Sequence, residues 1–286
     1  MYALCTNKEI RPDCNIIVSR CSAEDFLKNS KPSLENLSAK YYEIALTSHK
    51  YTGYTSDTGI VKFFCDFKDT HIQPVAILGG LNTGKTRKTD GKSNDSYKAG
   101  ETPFYNDIPR VENMGTAVFN KDKLVGELDG LETICHLALT NNLKSATLTI
   151  PSPFDASKSI EVLISLKHKT KSTVDIVNFS PYISSNVKLD AKILSIDAGL
   201  DFSNLSNINT LENAIDVYLE EKISEYFYKI SKEFNSDIVG FGDQASKNYY
   251  TIKEFENYKW LDNFRNSYFN INVKSTINSS GFIIKT

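Results

Sequence analysis

The stretch from Asn209 to Phe234 constrains the fold most. Leu211, Ile215, Tyr218, Leu219, Ile223, Tyr226, Phe227, Ile230 and Phe234 recur at three- and four-residue steps, the period of an α-helix with one apolar stripe. A helix over 209–235 must lay that stripe along a sheet or helix of comparable length, so the C-terminal part of the chain is built around it. Glu220, Glu221, Lys222, Glu225, Lys229 and Lys232 read as its wet side, and Glu212, Asp216, Glu220 and Glu221 are expected on the solvent face. Asn209 is placed to cap the first turn, with Glu212 three residues on. Asn235, Ser236 and Asp237 then break the pattern, and Gly240 and Gly242 bracket Phe241 before Asp243. The two glycines are expected to supply backbone conformations closed to other residues. Asp237 and Asp243 read as caps of a helix or turn rather than as acids.

The rest of the chain alternates short helices with strands. Residues 14–20 and 74–78 read as strands; Ser22 caps a short helix through Leu27, a second covers 34–49, and a third carries Ile60, Phe63, Phe64 and Phe67. Residues 79–111 are polar and turn-forming and read as a flexible loop. From Gly115 come two strands joined at Lys121-Asp122, a helix over 129–140, and strands at 146–150, 160–168, 174–177 and 187–196. The near-continuous apolarity of 160–168 suggests a strand covered on both faces. A boundary is expected near Asn178–Ser185, where Pro181 stands among Ser and Asn. The expected fold class is α+β, with two to three small domains, each a mostly antiparallel β-sheet with packed helices: 1–111, 112–182 and 183–286.

Functional chemistry is sparse. A net charge of −2 argues against a broad nucleic-acid surface, which wants a basic excess. Cys5, Cys14, Cys21, Cys65 and Cys135 include no CxxC and the four histidines no HExxH. The cysteines therefore read as small buried thiols rather than as zinc ligands or a disulfide framework. His136 follows Cys135 on one helix and points away from it, so no Cys–His pair forms locally. Met1–Cys5 has no basic or apolar region before it and does not work as a secretion signal as written. Gly79-Gly-Leu-Asn-Thr-Gly84-Lys85-Thr86 satisfies the Walker A pattern after a strand. A phosphate loop needs an amphipathic helix behind it, and no apolar residue occurs between Arg87 and Ser96. Nucleotide binding at 79–86 is the runner-up reading, and a generic extracellular binding module the third.

The long helix followed by S-D-I-V-G-F-G-D (236–243) resembles the C-terminal region of the Ger(x)C family, the C-subunit lipoproteins of bacterial spore germinant receptors. Two further stretches carry the likeness: GTAVFNKDKLVGELDGLET (115–133), and Tyr249–Phe264 with Trp260 and Phe264 one helical turn apart, leading into a closing strand. Where the family places an earlier Trp and a Pro in that second helix, this chain has Phe255 and Thr251. The E-I-R-P, Y-T-G-Y and I-Q-P-V segments occur in the order of the family's N-terminal domain. The family's signal peptide and first half would precede them, so 1–111 is expected to be a partial N-terminal domain and 1–110 the weakest part of the chain.

The resemblance implies a non-catalytic subunit of a nutrient germinant receptor, at the outer face of the spore inner membrane. It further implies two membrane-embedded partners, the A- and B-type subunits, and peripheral attachment through a lipid anchor in full-length relatives. No catalytic, cofactor-binding or metal residue is expected. Asp237, Gly240, Phe241, Gly242, Trp260 and Phe264 form a structural signature.

Overall fold

The computed structural model describes residues 14–30, 47–83, 95–103, 109–155, 157–196 and 205–280, with the isolated positions 7, 9, 11 and 12. The helix expected over 34–49 falls almost wholly outside them. Among the described residues two sheets carry the chain. The first takes the order β1 (Ile17–Ser19), β2 (Val75–Asn82), β3 (Arg110–Asn120), β4 (Lys123–Leu128). Its β1–β2 pairing is parallel and the rest antiparallel. Helices α1 (Ala23–Lys28), α2 (His49–Thr52) and α3 (Ile60–Lys68) precede β2, and α4 (Gly130–Leu139) follows β4. The Ser22 side chain accepts from Asp25 N, as expected of the cap, and Asp129 with Glu132 closes a capping box on α4.

The second sheet is organised by one long strand. β8 (Ser180–Ile196) pairs antiparallel with β7 (Lys171–Val177) through its first part and with β6 (Ser159–Leu166) through its second. β9 (Tyr268–Ser280) runs parallel along its other edge, and β5 (Ala146–Pro151) pairs antiparallel with β6. The boundary expected at 182/183 therefore falls inside β8, and strands from both sides of it share one sheet. Asn178 and Phe179, at φ of 51° and 65°, form a two-residue hairpin turn in the left-handed region, so the Ser- and Asn-rich stretch joins two strands rather than two domains. The division at 111/112 likewise falls within β3. Leu163 and Leu166 of β6 stay half-buried: one face of this sheet packs on the core and the other is open, not covered on both sides.

Two more expectations need correction. The stretch 79–111 is not all loop, because β2 runs on to Asn82 and residues 95–103 fold back into the core. Tyr97 and Ala99 are buried, and Asp95 accepts from Tyr54 Oη (2.7 Å) and Thr149 N (3.1 Å), tying the two sheets together. Of the cysteines, Cys14 and Cys65 are exposed; Cys135 alone of the described four is buried.

The long helix α5 spans Leu205–Tyr228 and ends in a π-helical turn, Lys229–Glu233. Asn209 therefore lies within it instead of capping it. Its stripe packs Leu211, Ile215, Leu219, Ile223, Tyr226, Phe227 and Ile230 into the main core. Three of the four acids expected on the solvent face are turned toward β9 instead. Glu220 Oε1 accepts from Val273 N (2.9 Å), Asp216 Oδ1 from Ser275 N (2.6 Å), and Glu212 Oε1 from Ile277 N (2.8 Å). Four helical residues rise about 6 Å and two strand residues about 6.6 Å, so carboxylates every four positions meet amides every two. The seam satisfies the free edge of β9, which would otherwise invite pairing with another chain. Of the four acids, Glu221 is the one left exposed.

Candidate functional site

The signature residues come together immediately after α5. The wide turn is closed by Phe234 N to Lys229 O (3.0 Å) and Ser236 N to Ile230 O (2.9 Å). Asn235, at φ 47°, reverses the chain, and Asp237 enters the core fully buried. Its Oδ1 accepts from Val239 N (3.1 Å) and Gly240 N (2.9 Å); its Oδ2 accepts from Gly242 N (3.0 Å) and Trp260 Nε1 (2.8 Å). Burial pushes its pKa up to about 6, while the indole and backbone donors pull the other way. At neutral pH the carboxylate is ionised, as a group facing four donors requires. It is a cap in the expected sense, but one that also anchors a tryptophan from the next helix.

The two glycines differ. Gly240 sits at φ +86°, a conformation L side chains rarely adopt. Gly242 has ordinary backbone angles as the first residue of α6 (Gly242–Ala245). A Cβ there would stand 2.4 Å from His71 O and 2.8 Å from Trp260 Cδ1, so close approach explains it rather than conformation. Asp243 points outward, 3.3 Å from His71 Nδ1.

Trp260 and Phe264 are both buried, with ring centroids 5.8 Å apart, and Phe241 packs on Phe227 at 5.5 Å. The expected single helix from Tyr249 to Phe264 is broken: α7 (Ile252–Tyr258) and α8 (Trp260–Asn263) are separated by Lys259 at φ 53°. That break turns the indole inward to Asp237. Thr251 caps α7 through a capping box with Glu254.

This turn is also the joint to the first sheet, which no local residue pattern announces. Gln73 N donates to Asp237 O (2.7 Å) and Gln73 Oε1 accepts from Lys121 N (2.5 Å). Ser236 Oγ donates to Phe119 O (2.6 Å), and Asn120 Nδ2 to Asn235 O (2.9 Å). Beside the joint opens a cleft of about 400 Å³ lined by Phe67, Gln73, Lys121, Phe255, Lys259 and Trp260. Lys68, Lys121 and Lys259 face Asp69, Glu256 and Asp262 around it, a balanced rim over an aromatic floor. His136 is buried with Nδ1 3.0 Å from Tyr226 Oη; burial drives its pKa down to about 3, so it is a neutral hydrogen-bonding residue and makes no pair with Cys135.

As far as Asn82 the Walker-like segment is strand, not loop. Gly79, Gly80, Leu81 and Asn82 are ladder residues of β2 opposite Asn113, Glu112, Val111 and Arg110. A Cβ on Gly80 would stand 2.4 Å from Ala99 O, so its glycine admits a neighbouring chain segment instead of a phosphate. Gly84, Lys85 and Thr86 lie outside the described residues.

A family model described as spore germination B3/GerAC-like, C-terminal, matches residues 114–281. This chain belongs to that family. A curated relative, the spore germination protein GerQC of Bacillus cereus, is 19% identical over 171 residues, 60% of this chain and 46% of its own length. The chain thus spans about half of that relative. Among solved structures, the crystal structure of the GerBC protein superposes with a TM-score of 0.65 at 15% identity, covering 96% of this chain and 72% of that one. At that identity the likeness is one of fold. The family match at 114–281 contains the whole Asp237 turn, α6, α7, α8 and all of β9. No helix among the described residues is long and apolar enough to cross a membrane.

Proposed function

We propose that this GerAC-like chain is the C subunit of a spore nutrient germinant receptor, acting through its surface in assembly of the receptor rather than by catalysis. The observation that carries this is the use made of Asp237. The most buried carboxylate in the matched region has both oxygens taken up by four donors that fix the turn and α8, while its carbonyl and the two residues before it bond to Gln73, Phe119 and Asn120 at the joint with the first sheet. A signature built this way preserves the relative placement of surfaces, which is what an assembling subunit needs. In this reading the chain works at the outer face of the spore inner membrane, beside the A- and B-type membrane-embedded subunits, with peripheral attachment of the kind a lipid anchor gives its full-length relatives. The aromatic cleft at the joint, lined from α3, the β3–β4 turn, α7 and α8, is the surface best placed to sense or transmit their arrangement.

The test is genetic complementation. Spores lacking this chain but retaining the two other subunits should lose the response to their nutrient and recover it with the wild-type gene. Recovery should also follow with the exposed-rim variant Asp262→Asn and fail with Asp237→Ala. Undiminished nutrient germination without the chain would refute the proposal.

A further inference from the structure

The open face of the second sheet carries an arrangement that neither the core nor the α5 seam explains. In the β8–β9 register Lys188 stands directly opposite Lys274 and Asn186 opposite Asn272; in the β7–β8 register Lys171 stands opposite Asn186. All five belong to the exposed set of their strands. Like charges directly opposite one another are unfavourable. Lys274 is relieved by Asp216 at 3.3 Å and Lys167 by Asp190 at 3.3 Å. Among the described residues Lys169, Lys171 and Lys188 have no ion pair. Together with His168, Asn186 and Asn272 they line an open depression of about 640 Å³ that contains no carboxylate. In a chain whose net charge is −2, this is a local excess of cations gathered in one concavity.

The backbone that carries these lysines is also held in place. The β6–β7 connection that bears Lys169 is pinned at its centre: Thr170 N donates to Asn141 Oδ1 (2.6 Å) and Thr170 Oγ1 to Ala138 O (2.8 Å), both at the end of α4. Lys167 N donates to Lys188 O (2.9 Å), fixing the connection against β8. Asn272 Nδ2 donates to Asn186 Oδ1 (3.2 Å), which orients the Asn186 amide beside Lys171 and Lys188. Positively charged side chains on a rigid sheet, with an amide between them, form a preorganised anion receptor: little backbone ordering remains to oppose binding.

We infer that this depression binds an anion of the phosphate class, with Lys169, Lys171 and Lys188 supplying charge and Asn186 a directional donor. The phosphate group can come from a soluble compound or from a lipid headgroup; the residues that would hold it are the same.

The test uses the full chain with pyrophosphate as probe, measured by isothermal titration calorimetry at low and at physiological ionic strength. Saturable binding that weakens with salt is expected. The double variant Lys171→Gln/Lys188→Gln should bind at least about tenfold more weakly, while Lys192→Gln, on the same face but outside the depression, should bind like wild type. Co-sedimentation with phosphatidylglycerol vesicles, against phosphatidylcholine vesicles, distinguishes the sources. Sedimentation that pyrophosphate competes away assigns a headgroup; pyrophosphate binding without sedimentation assigns a soluble anion. No binding of either probe, or equal loss in Lys192→Gln and in the double variant, would overturn the inference. Circular dichroism of each variant confirms that the fold is retained.

Discussion

Replacing Asp237 by asparagine keeps the size of the side chain and removes half of what the turn needs. The carboxylate offers two acceptor oxygens to four donors, two on each oxygen. In either orientation the new amide presents one NH2 to two N–H groups: Gly242 N and Trp260 Nε1, or Val239 N and Gly240 N. A buried donor left without an acceptor costs about 1–3 kcal/mol, so two cost about 2–6 kcal/mol. Part of this is offset because the variant no longer buries a charge, a penalty visible in the upward shift of the native pKa. The expected net loss is about 2–4 kcal/mol. Guanidinium unfolding followed by far-UV circular dichroism measures it, and Trp260, the single tryptophan, reports the same transition by fluorescence. Trp260→Phe deletes one of the four donors, so the two substitutions should be non-additive, the double variant costing about 1–2 kcal/mol less than the sum. A midpoint for Asp237→Asn within about 0.5 kcal/mol of wild type, or full additivity, would refute the four-donor reading.

The two glycines should separate by mechanism: Gly240→Asn is tolerated because Asn adopts positive φ, and Gly240→Val costs about 1–3 kcal/mol. Gly242→Ala should already destabilise through contact with His71 and Trp260, and equal tolerance of Ala at both sites in unfolding midpoints would contradict this. At the α5–β9 seam, Asp216→Ala should increase hydrogen exchange at Ser275 and lower stability by about 1–3 kcal/mol; unchanged protection of Ser275 would show that the edge is guarded otherwise. For His136 the native pKa of about 3 lies below the unfolded value of about 6.5. As pH falls from 7 to 4, the unfolded chain gains a proton that the folded chain refuses, so this group destabilises the fold in acid. His136→Gln should flatten that limb of the pH–stability profile relative to wild type, and parallel profiles would contradict it. Lys85→Ala should leave stability and germination unchanged, checked by thermal shift with and without nucleotide; a nucleotide-dependent shift lost in the variant would revive the phosphate-loop reading.

What could be read from the sequence was local. The stripe of α5, the cap on Ser22, the Lys121-Asp122 corner and the helix ended by Leu139 all follow from spacing within one element. The signature residues were legible because Gly-Phe-Gly after a helix is an unusual local request. What was missed depends on pairing at a distance. Glu212, Asp216 and Glu220 read as a solvated face because nothing nearby reveals that Val273, Ser275 and Ile277 will present their amides some 60 residues later. Lys259 sits between two helical segments with no proline or glycine nearby, so nothing local announces its positive φ. Asp95, Tyr97 and Ala99 lie in a polar stretch whose burial is decided by Met114, Gly130 and Leu131, to which they are hydrogen-bonded. Asn178-Phe179 read as a boundary since a hairpin turn and a linker share the same residue types; only the pairing of Val177 with Ser180 tells them apart.

The most direct measurement is affinity purification of this chain, tagged at its C-terminus and expressed from its own locus, from detergent-solubilised spore membranes. Recovery of both the A- and B-type membrane-embedded subunits in constant ratio is the expected result, with the ratio collapsing in Asp237→Ala. Recovery of the chain at wild-type abundance with neither membrane subunit, under conditions that keep those two together, would contradict its role as an assembling subunit.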